Sequence, residues 1–215
     1  ILNVENLSKS IENDIFFKKI DLNLSKGDKV LVFSRDSRAT TNFFQIINNC
    51  LQPDSGSFNW GITTSQSYLP LDNSDFFDKN INLVEWLREY ANTEEEREEV
   101  YLRGFLGKMI FSGDEALKKC NVLSGGEKVR CMISRMMMKK GNVLILDEPT
   151  NHLDLESITA FNNSLKNFKG TVLFSTHDHE FAQTIANRII ELTPSGIIDR
   201  YMTFEEYMKD AKIKQ

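Results

Sequence analysis

The feature that most constrains the fold is a short apolar run, Val143–Leu146, which ends directly in two carboxylates, Asp147 and Glu148. Four consecutive apolar residues are typical of a strand in a parallel sheet that is covered on both faces. The sequence then predicts a helix at about 155–168 and a further strand at 172–174. Strands that alternate with helices in this way indicate an α/β fold with a parallel core sheet.

The N-terminal part of the chain predicts a second kind of sheet. Residues 1–33 have the pattern of strands, with Ile20, Leu22 and Leu24 alternating before a turn and a second apolar run. We expect these strands to form an antiparallel β edge beside the parallel core.

The character of the sequence changes after residue 72. Four residues recur at the spacing of one helix face: Leu83, Trp86, Leu87 and Tyr90. Thr93 and Ser112 each begin a capping box, S/T-x-x-E, that opens a further helix. We therefore predict a helical lobe at 73–122, inserted into an α/β core of residues 1–72 and 123–215 within a single domain.

The composition excludes several classes of protein. Hydrophobic content of 40% and charged content of 27% over 215 residues are ordinary for a globular chain of one domain. With 26 Lys and Arg against 31 Asp and Glu, the net charge of -5 argues against direct DNA binding by charge. No apolar run approaches the roughly 20 residues that a membrane-spanning helix needs, so no membrane segment is expected.

The cysteines indicate a compartment. Cys50, Cys120 and Cys131 are far apart and suggest no disulfide framework, so the expected location is the reducing cytoplasm. Because the first residue is Ile1 rather than Met, the sequence is expected to be a piece of a longer chain.

The strongest chemical signal is the run Leu123-Ser124-Gly125-Gly126-Glu127. Its first serine and its glutamate fit a capping box that opens a helix. The two glycines allow close approach to the backbone, and a helix N-terminus attracts anions through its N–H groups and its dipole. The run therefore predicts an anion site formed by Ser124, Gly125, Gly126 and Glu127, with an ordinary capped helix as the alternative.

The two carboxylates after the apolar strand predict metal chemistry. Asp147 can hold Mg²⁺ directly or through water, and Glu148 can polarise an attacking water. After the next predicted strand, Thr176 and His177 place an imidazole at the same edge of the sheet. The alternative, two solvated loop acids, is disfavoured because the strand before them is wholly apolar.

These motifs occur in a characteristic order, LSGGE, then LILDEPTNHLD, then STHD. In this order they resemble the ATP-binding cassette (ABC) ATPases. The run EPTNHLD is similar to the ABC-F subfamily, whose members have two cassettes in one chain and no membrane domain. The resemblance covers nearly the whole chain. It implies the second, C-terminal cassette of such a protein, with the P-loop NTPase-type fold of a nucleotide-binding domain.

The resemblance also implies cofactors, partners and residue roles. ATP and Mg²⁺ would be the cofactors, and the partners would be the ribosome and a second cassette, in the same chain or in a homodimer. Asp147 would bind Mg²⁺, Glu148 would be the catalytic base, Asp154 the D-loop residue and His177 the switch histidine. The signature that contacts the γ-phosphate on the opposing cassette would be Ser124, Gly125 and Gly126.

One element departs from the family's pattern. A cassette carries G-x-x-x-x-G-K-[ST] after an early strand, whereas this chain has FSRDSRAT at 33–40. Larger side chains replace the glycines, and Ala39 replaces a lysine whose charge-assisted contact is worth roughly 1.5–3 kcal/mol. Thr40 keeps the Mg²⁺ hydroxyl position, and Arg35 and Arg38 can grip phosphate. The candidate nucleotide-binding residues of this loop are Ser34, Arg35, Arg38, Thr40 and Thr41.

Two further positions depart from the pattern. The aromatic residue that stacks on adenine is expected near Ile11, and Phe16 or Phe17 would replace it if the loop folds back. The expected glutamine after the strand near residue 69 falls at Leu71 or Asp72. Loss of the lysine and of stacking together weakens binding by roughly 3–6 kcal/mol, or about 10²- to 10⁴-fold.

We therefore predict an asymmetric cassette of a cytoplasmic ABC-F-like ATPase. Its own P-loop site is impaired, its LSGGE motif completes a site on the partner cassette, and the isolated chain has weak activity or none. The alternatives are the ATPase subunit of an ABC membrane transporter and a non-catalytic dimerisation or regulatory module. A DNA-repair type of ABC ATPase is disfavoured because the sequence has no long coiled coil.

One basic helix allows two interpretations. A solvated face is favoured over an RNA- or partner-facing patch. The residues concerned are Lys128, Arg130, Arg135, Lys139 and Lys140.

Overall fold

The structure, a computed structural model, describes residues 1–210, so the end of the predicted domain, 211–215, lies outside the described residues. Strands β1 to β9 are, in chain order, Leu2–Ile11, Asp14–Leu24, Lys29–Ser34, Ser55–Trp60, Gln66–Leu69, Val143–Leu146, Thr171–Phe174, Arg188–Thr193 and Gly196–Arg200. Helices α1 to α8 are Ser37–Ile47, Leu83–Arg88, Glu94–Arg97, Glu99–Lys108, Gly125–Lys139, Leu155–Asn167, His179–Ile185 and Phe204–Lys209. Short 3₁₀ helices lie at Ser74–Phe77, Gly113–Leu117 and Cys120–Val122.

A six-stranded sheet carries the candidate catalytic residues. Its strand order is β5-β6-β7-β3-β8-β9, and all neighbouring strands are parallel except β8 and β9. The four residues of β6 are all buried, and this strand pairs with β5 on one side and with β7 on the other. The run Val143–Leu146 is wholly apolar because neither face of this strand meets water. The predicted α/β fold with a parallel core sheet is confirmed.

The N-terminal strands form a separate antiparallel sheet with the order β2-β1-β4. Ile20, Leu22 and Leu24 alternate as expected and are buried. Phe17 of β2 meets Phe43 of α1 edge to face, with ring centroids 6.1 Å apart and an interplanar angle of 86°. The predicted antiparallel edge is therefore present as a sheet of its own, and it shares one hydrophobic core with α1 and with residues of the parallel sheet.

The chain separates into two compact units. One contains Ile1–Leu71, Asn142–Pro149 and the chain from Lys169 onward, and the other contains Asp72–Gly141 and Thr150–Phe168. The second unit is larger than the lobe predicted at 73–122. It also includes helices α5 and α6, and α5 packs against α4 within it.

The basic residues in and after α5 do not form a fully solvated face. The guanidinium of Arg135 lies over the ring of Tyr90 at 4.2 Å and over that of Phe76 at 4.9 Å. Arg130 lies 4.5 Å from the centroid of Phe111. The remaining cations also lie over rings, Lys128 over Phe77, Lys139 over Tyr90 and Lys140 over Tyr101. These cation–π contacts, each worth about 0.5–1 kcal/mol or more, hold the helix within its unit.

Candidate functional site

Asp147 lies directly after β6, at the carboxyl end of the parallel sheet, and is 2% exposed. Ser175 follows the neighbouring strand β7, and its hydroxyl donates to Oδ1 of Asp147 over 3.0 Å. The parallel pairing of β6 with β7 brings these two residues together. The second carboxylate oxygen, Oδ2, is buried and has no hydrogen-bond partner among the described residues. Sequence reasoning had given Ser175 no role, although it opens the STHD motif.

Glu148 has a left-handed backbone conformation, with φ of 49°. This conformation is strained for a residue with a side chain, and the backbone N–H of Glu148 is held by a 2.9 Å hydrogen bond to the Ser175 hydroxyl. Oε1 of Glu148 lies 3.5 Å from Nε2 of His177, whose side chain is 79% exposed. Oε2 of Glu148 is buried and, within residues 1–210, has no partner. The structure thus brings together the predicted pair at one sheet edge.

The electrostatics of this edge follow from burial. Burial raises the pKa of the Asp147 carboxyl, and hydrogen bonds from Thr41 and Ser175 oppose the shift. Burial also raises the pKa of Glu148, while His177 opposes this shift and the Asp147 charge adds to it. Thr40 as the Mg²⁺ hydroxyl position stays a prediction.

The donor set fits a magnesium ion. Asp147 and Glu148 each present one buried carboxylate oxygen that lacks a donor within the described part of the chain. Such an oxygen is costly to bury alone, and a hard divalent cation binds oxygen ligands of this kind. Asp147 would hold the ion, as the sequence predicts.

We expect Asp147→Asn to stabilise the folded chain in the absence of Mg²⁺. A carboxyl whose pKa is raised by folding destabilises the fold when it is ionised, and this cost disappears as the pH falls through the folded pKa. The uncharged amide removes the cost, so the free energy of unfolding at pH 7 should rise by about 1 kcal/mol. Urea unfolding measures this change.

The matched control is Asp154→Asn. Asp154 caps α6 by accepting the N–H of Ser157 over 2.8 Å, and hydrogen bonds to Ser157 lower its pKa. This charge stabilises the fold above the folded pKa, so its removal should give no gain, although asparagine still caps the helix. Equal stabilisation by both substitutions, or a loss from Asp147→Asn, would contradict the burial argument.

The expected phosphate loop lies between β3 and α1. Asp36 caps α1 by accepting a 3.0 Å hydrogen bond from the backbone N–H of Arg38. The Arg38 guanidinium is bound to Asp36 at 2.7 Å and to Asp14 of β2 at 2.9 Å. The structure describes all of residues 33–41, and none of them has a positive φ. The backbone therefore does not form the concave nest of N–H groups that holds phosphate in P-loops.

The other loop residues lie either in the hydrophobic core or beside a cavity. Ala39, at the lysine position, is 0% exposed and belongs to the hydrophobic core, and Thr40 is also buried. Ser34 and Arg35 line a cavity of about 490 Å³ beside the β8–β9 hairpin. Arg38 is already paired with two carboxylates, through its Nε and Nη2 atoms.

Both phenylalanines that were expected to replace the adenine-stacking aromatic belong to the hydrophobic core. Phe16 lies beneath the Arg38 guanidinium and also lines the cavity that Ser34 and Arg35 border, and Phe17 is buried against α1. Stacking on adenine by Phe16 or Phe17 stays a prediction. At the end of β5 the chain continues into an exposed Leu71 and into Asp72, which accepts hydrogen bonds from Ser74, so no glutamine follows this strand directly.

The predicted capping box at the start of α5 is confirmed. Glu127 N–H donates to the Ser124 hydroxyl over 3.3 Å, and Ser124 N–H donates to Glu127 Oε2 over 2.8 Å. The other oxygen of Glu127 is 2.6 Å from Nζ of Lys118, an ion pair that fixes the glutamate from the lobe side. Sequence reasoning missed Lys118, because nine residues and a 3₁₀ helix separate it from its partner.

The two glycines differ in what surrounds them. A β-carbon on Gly126 would overlap the carbonyl oxygen of His152, whose backbone is left-handed with φ of 66°. A β-carbon on Gly125 would lie 3.5 Å from the His152 ring, an ordinary contact. The second glycine of the signature is therefore required by the loop before α6, a contact that the sequence gave no means of finding.

Comparison with known protein families assigns this arrangement. A family model described as ABC transporter matches residues 17–151, which span the loop after β3, the signature and the carboxylates after β6. The chain belongs to the ABC transporter family. It is thus an ATP-binding cassette.

The cassette is similar to several bacterial proteins. It is 52% identical to an uncharacterized ABC transporter ATP-binding protein, YkpA, of Bacillus subtilis, over 100% of this chain and 40% of the relative. It is 37% identical to the probable ATP-binding protein YbiT of Escherichia coli O157:H7, over 99% of this chain and 40% of the relative. It is 29% identical to the energy-dependent translational throttle protein EttA of Escherichia coli K12, over 97% and 38%. The cassette therefore spans about 40% of the length of these relatives.

Solved structures confirm the fold of the cassette. The dimeric bacterial ABC transporter cassette MJ0796 superposes with a TM-score of 0.76 at 19% identity, covering 94% of this chain and 99% of that one. The same cassette in a dimeric post-hydrolysis state, bound to ADP and Pi, gives a TM-score of 0.75. In the part of the chain that the structure describes, no helix has both the length and the apolar character needed to cross a membrane.

Proposed function

We propose that this cassette belongs to a two-cassette ABC-F-type ATPase and supplies its signature to an ATP site on the second cassette. The observation that carries the proposal is a contrast between two helix N-termini. The N-terminus of α5 is capped by Ser124 and packed through Gly126, as a signature requires, whereas the N-terminus of α1 is occupied by Asp36 and Arg38. The N-terminus of α5 is therefore suited to nucleotide binding, whereas the N-terminus of α1 is not.

The signature half would act on a phosphate held by the partner. The N-terminal N–H groups of α5, a helix of 15 residues, favour negative charge. Glu127 is held by Ser124 and Lys118, so the first turn keeps its geometry when the two cassettes close. Asp154, which caps α6 in the same unit, would act as the D-loop residue at this interface.

The residues of the cassette's own site would work together if nucleotide reached them. Mg²⁺, when bound, neutralises charge on the phosphate oxygens. Asp147 would hold the ion, and Glu148 would accept a proton from the attacking water, since its raised pKa favours proton transfer. Nε2 of His177 lies 3.5 Å from Oε1 of Glu148, and the His177 side chain is largely exposed. His177 would orient the Glu148 carboxylate toward a ligand on the side that faces the partner cassette.

The proposed setting is translation in the cytoplasm, with the ribosome as partner. It is supported by the likeness to EttA, named a translational throttle protein, and by 28% identity to ABC transporter F family member 5 of Arabidopsis thaliana, over 100% of this chain and 31% of that one. The three cysteines are free thiols, which suits a reducing compartment. The cations of α5 lie over rings of their own unit, so we do not assign RNA contact to that helix.

The test uses ATP turnover by the full-length two-cassette protein. Ser124→Arg should lower turnover by about tenfold or more, because a bulky cation replaces the helix cap at the partner's phosphate. Glu148→Gln, a matched change in the cassette's own site, should leave turnover within about twofold. Unchanged turnover after Ser124→Arg would exclude the proposal that this cassette supplies its signature motif to the ATP site on the second cassette. A large loss after Glu148→Gln would show that the cassette's own site is used.

A further inference from the structure

The loop between β3 and α1 contains a carboxylate that accepts a hydrogen bond at the N-terminus of α1. In phosphate-binding loops this position is left for an oxygen of the phosphate. Oδ1 of Asp36 accepts the backbone N–H of Arg38 at the N-terminus of α1. An anion bound at a helix N-terminus uses such N–H groups and the positive end of the helix dipole. The carboxylate of Asp36 therefore occupies the position that a ligand phosphate needs.

Arg38 holds this carboxylate in place. Its Nε donates to both oxygens of Asp36 over 3.1 Å, and its Nη2 donates to Asp36 over 2.7 Å and to Asp14 over 2.9 Å. The guanidinium also lies 5.2 Å from the centroid of the Phe16 ring. The hydrogen bonds from Arg38 keep the pKa of Asp36 below its usual value, so this side chain is ionised at neutral pH. A phosphate would meet a negative charge whose counter-ion is already engaged.

The backbone at the same residue opposes phosphate as well. Asp36 is extended, with φ of −104° and ψ of 109°. A phosphate nest needs left-handed residues, which glycine adopts readily and aspartate adopts at a cost. Asp36 stands at a position where the phosphate-loop pattern permits glycine. Charge and backbone conformation thus place two obstacles to phosphate at one residue.

We propose that Asp36 is a specificity-determining residue that excludes nucleotide phosphates from this cassette's own loop by filling the anion position at the N-terminus of α1. The inference deepens the proposed function and rests on it for the nature of the excluded ligand. On this proposal the Asp36 carboxylate blocks phosphate from the loop, so the loop has not merely lost affinity for it. Restoring the missing lysine alone does not open it, because Ala39 points into the core while the carboxylate stays in place.

The test is calorimetric titration of Mg-ATP, and separately of inorganic tripolyphosphate, into the full chain and its variants. Asp36→Gly removes the charge and permits the left-handed backbone, and it should tighten binding of both probes by about tenfold or more. Asp36→Asn removes only the charge and should give part of that gain. Both residues cap helices adequately, so the variants should fold, and circular dichroism checks this.

Asp14→Asn is the matched control. It removes the other carboxylate from Arg38 but leaves the N-terminus of α1 occupied, so it should change binding by less than about twofold. The inference is overturned if Asp36→Gly gains no more than twofold, or if Asp14→Asn gains as much as Asp36→Asn. Neither outcome affects the signature role, which is measured by turnover after Ser124→Arg. Tight Mg-ATP binding by the unmodified chain would overturn both this inference and the impaired loop of the proposed function.

Discussion

Gly126→Ala should lower the free energy of unfolding by about 2–3 kcal/mol and reduce turnover of the full-length protein by about 10- to 100-fold. The added methyl group overlaps the backbone carbonyl oxygen of His152, which cannot rotate away as a side chain would. Either the start of α5 or the loop before α6 must shift. Because the signature lies at this N-terminus, the shift displaces the N–H groups that would meet phosphate. Urea unfolding and steady-state turnover report the two effects separately.

The neighbouring glycine provides the control. A methyl group on Gly125 makes only an ordinary contact with the His152 ring, and alanine is a better helix former than glycine by about 0.5–1 kcal/mol. Gly125→Ala should therefore be neutral or slightly stabilising. If both substitutions destabilise the chain equally, packing against the His152 backbone does not explain the need for the second glycine.

Arg188→Met should destabilise the fold by about 3–5 kcal/mol, which lowers the unfolding temperature by about 10 °C. Arg188 opens β8, and its side chain is 4% exposed. It is 2.7 Å from Asp28 and 2.6 Å from Asp199, and it also donates to the backbone oxygen of Asn23. Without the guanidinium two partly buried carboxylates lose their counter-ion. Thermal unfolding followed by circular dichroism measures the loss.

Arg38 offers a control of the same chemistry in a different environment. It also binds two aspartates at 2.7 and 2.9 Å, but its side chain is 57% exposed. Water replaces the lost contacts of an exposed pair, so Arg38→Met should leave the unfolding temperature within about 2 °C. If the two arginine substitutions cost the same, burial is not what makes the Arg188 network important.

The features that sequence reasoning found are those whose cause is local. An apolar run of four residues predicts a covered strand, and S-x-x-E predicts the cap at Ser124, because both patterns act within one turn or one strand. The carboxylates at the end of β6 and the imidazole after β7 were expected at one edge, since parallel strands end together. Glu148 and His177 do lie together at this edge.

The features that were missed join residues that are distant in the chain. Arg188 and Asp28 are 160 residues apart, and nothing in the local sequence marks either as buried. The cations of α5 have the spacing of a solvated face, yet Phe76 and Tyr90 of the preceding lobe lie against the guanidinium of Arg135. For the same reason the second compact unit is larger than the change in sequence character suggested. Long-range packing decides such cases, and hydrophobic periodicity does not record it.

The position of β6, between the edge strand β5 and β7, bears on which motions the two carboxylates that follow it can undergo. The strand is buried along its whole length and hydrogen-bonded on both sides, so its amides become accessible only when the edge strand β5 or the strand β7 separates from it. Helix termini and edge strands fray more often than a strand that is paired on both sides. Asp147 and Glu148 therefore follow a strand that is held by two neighbours, and fluctuations confined to helix termini leave in place the pairing of β6 with β7 that brings Asp147 to Ser175.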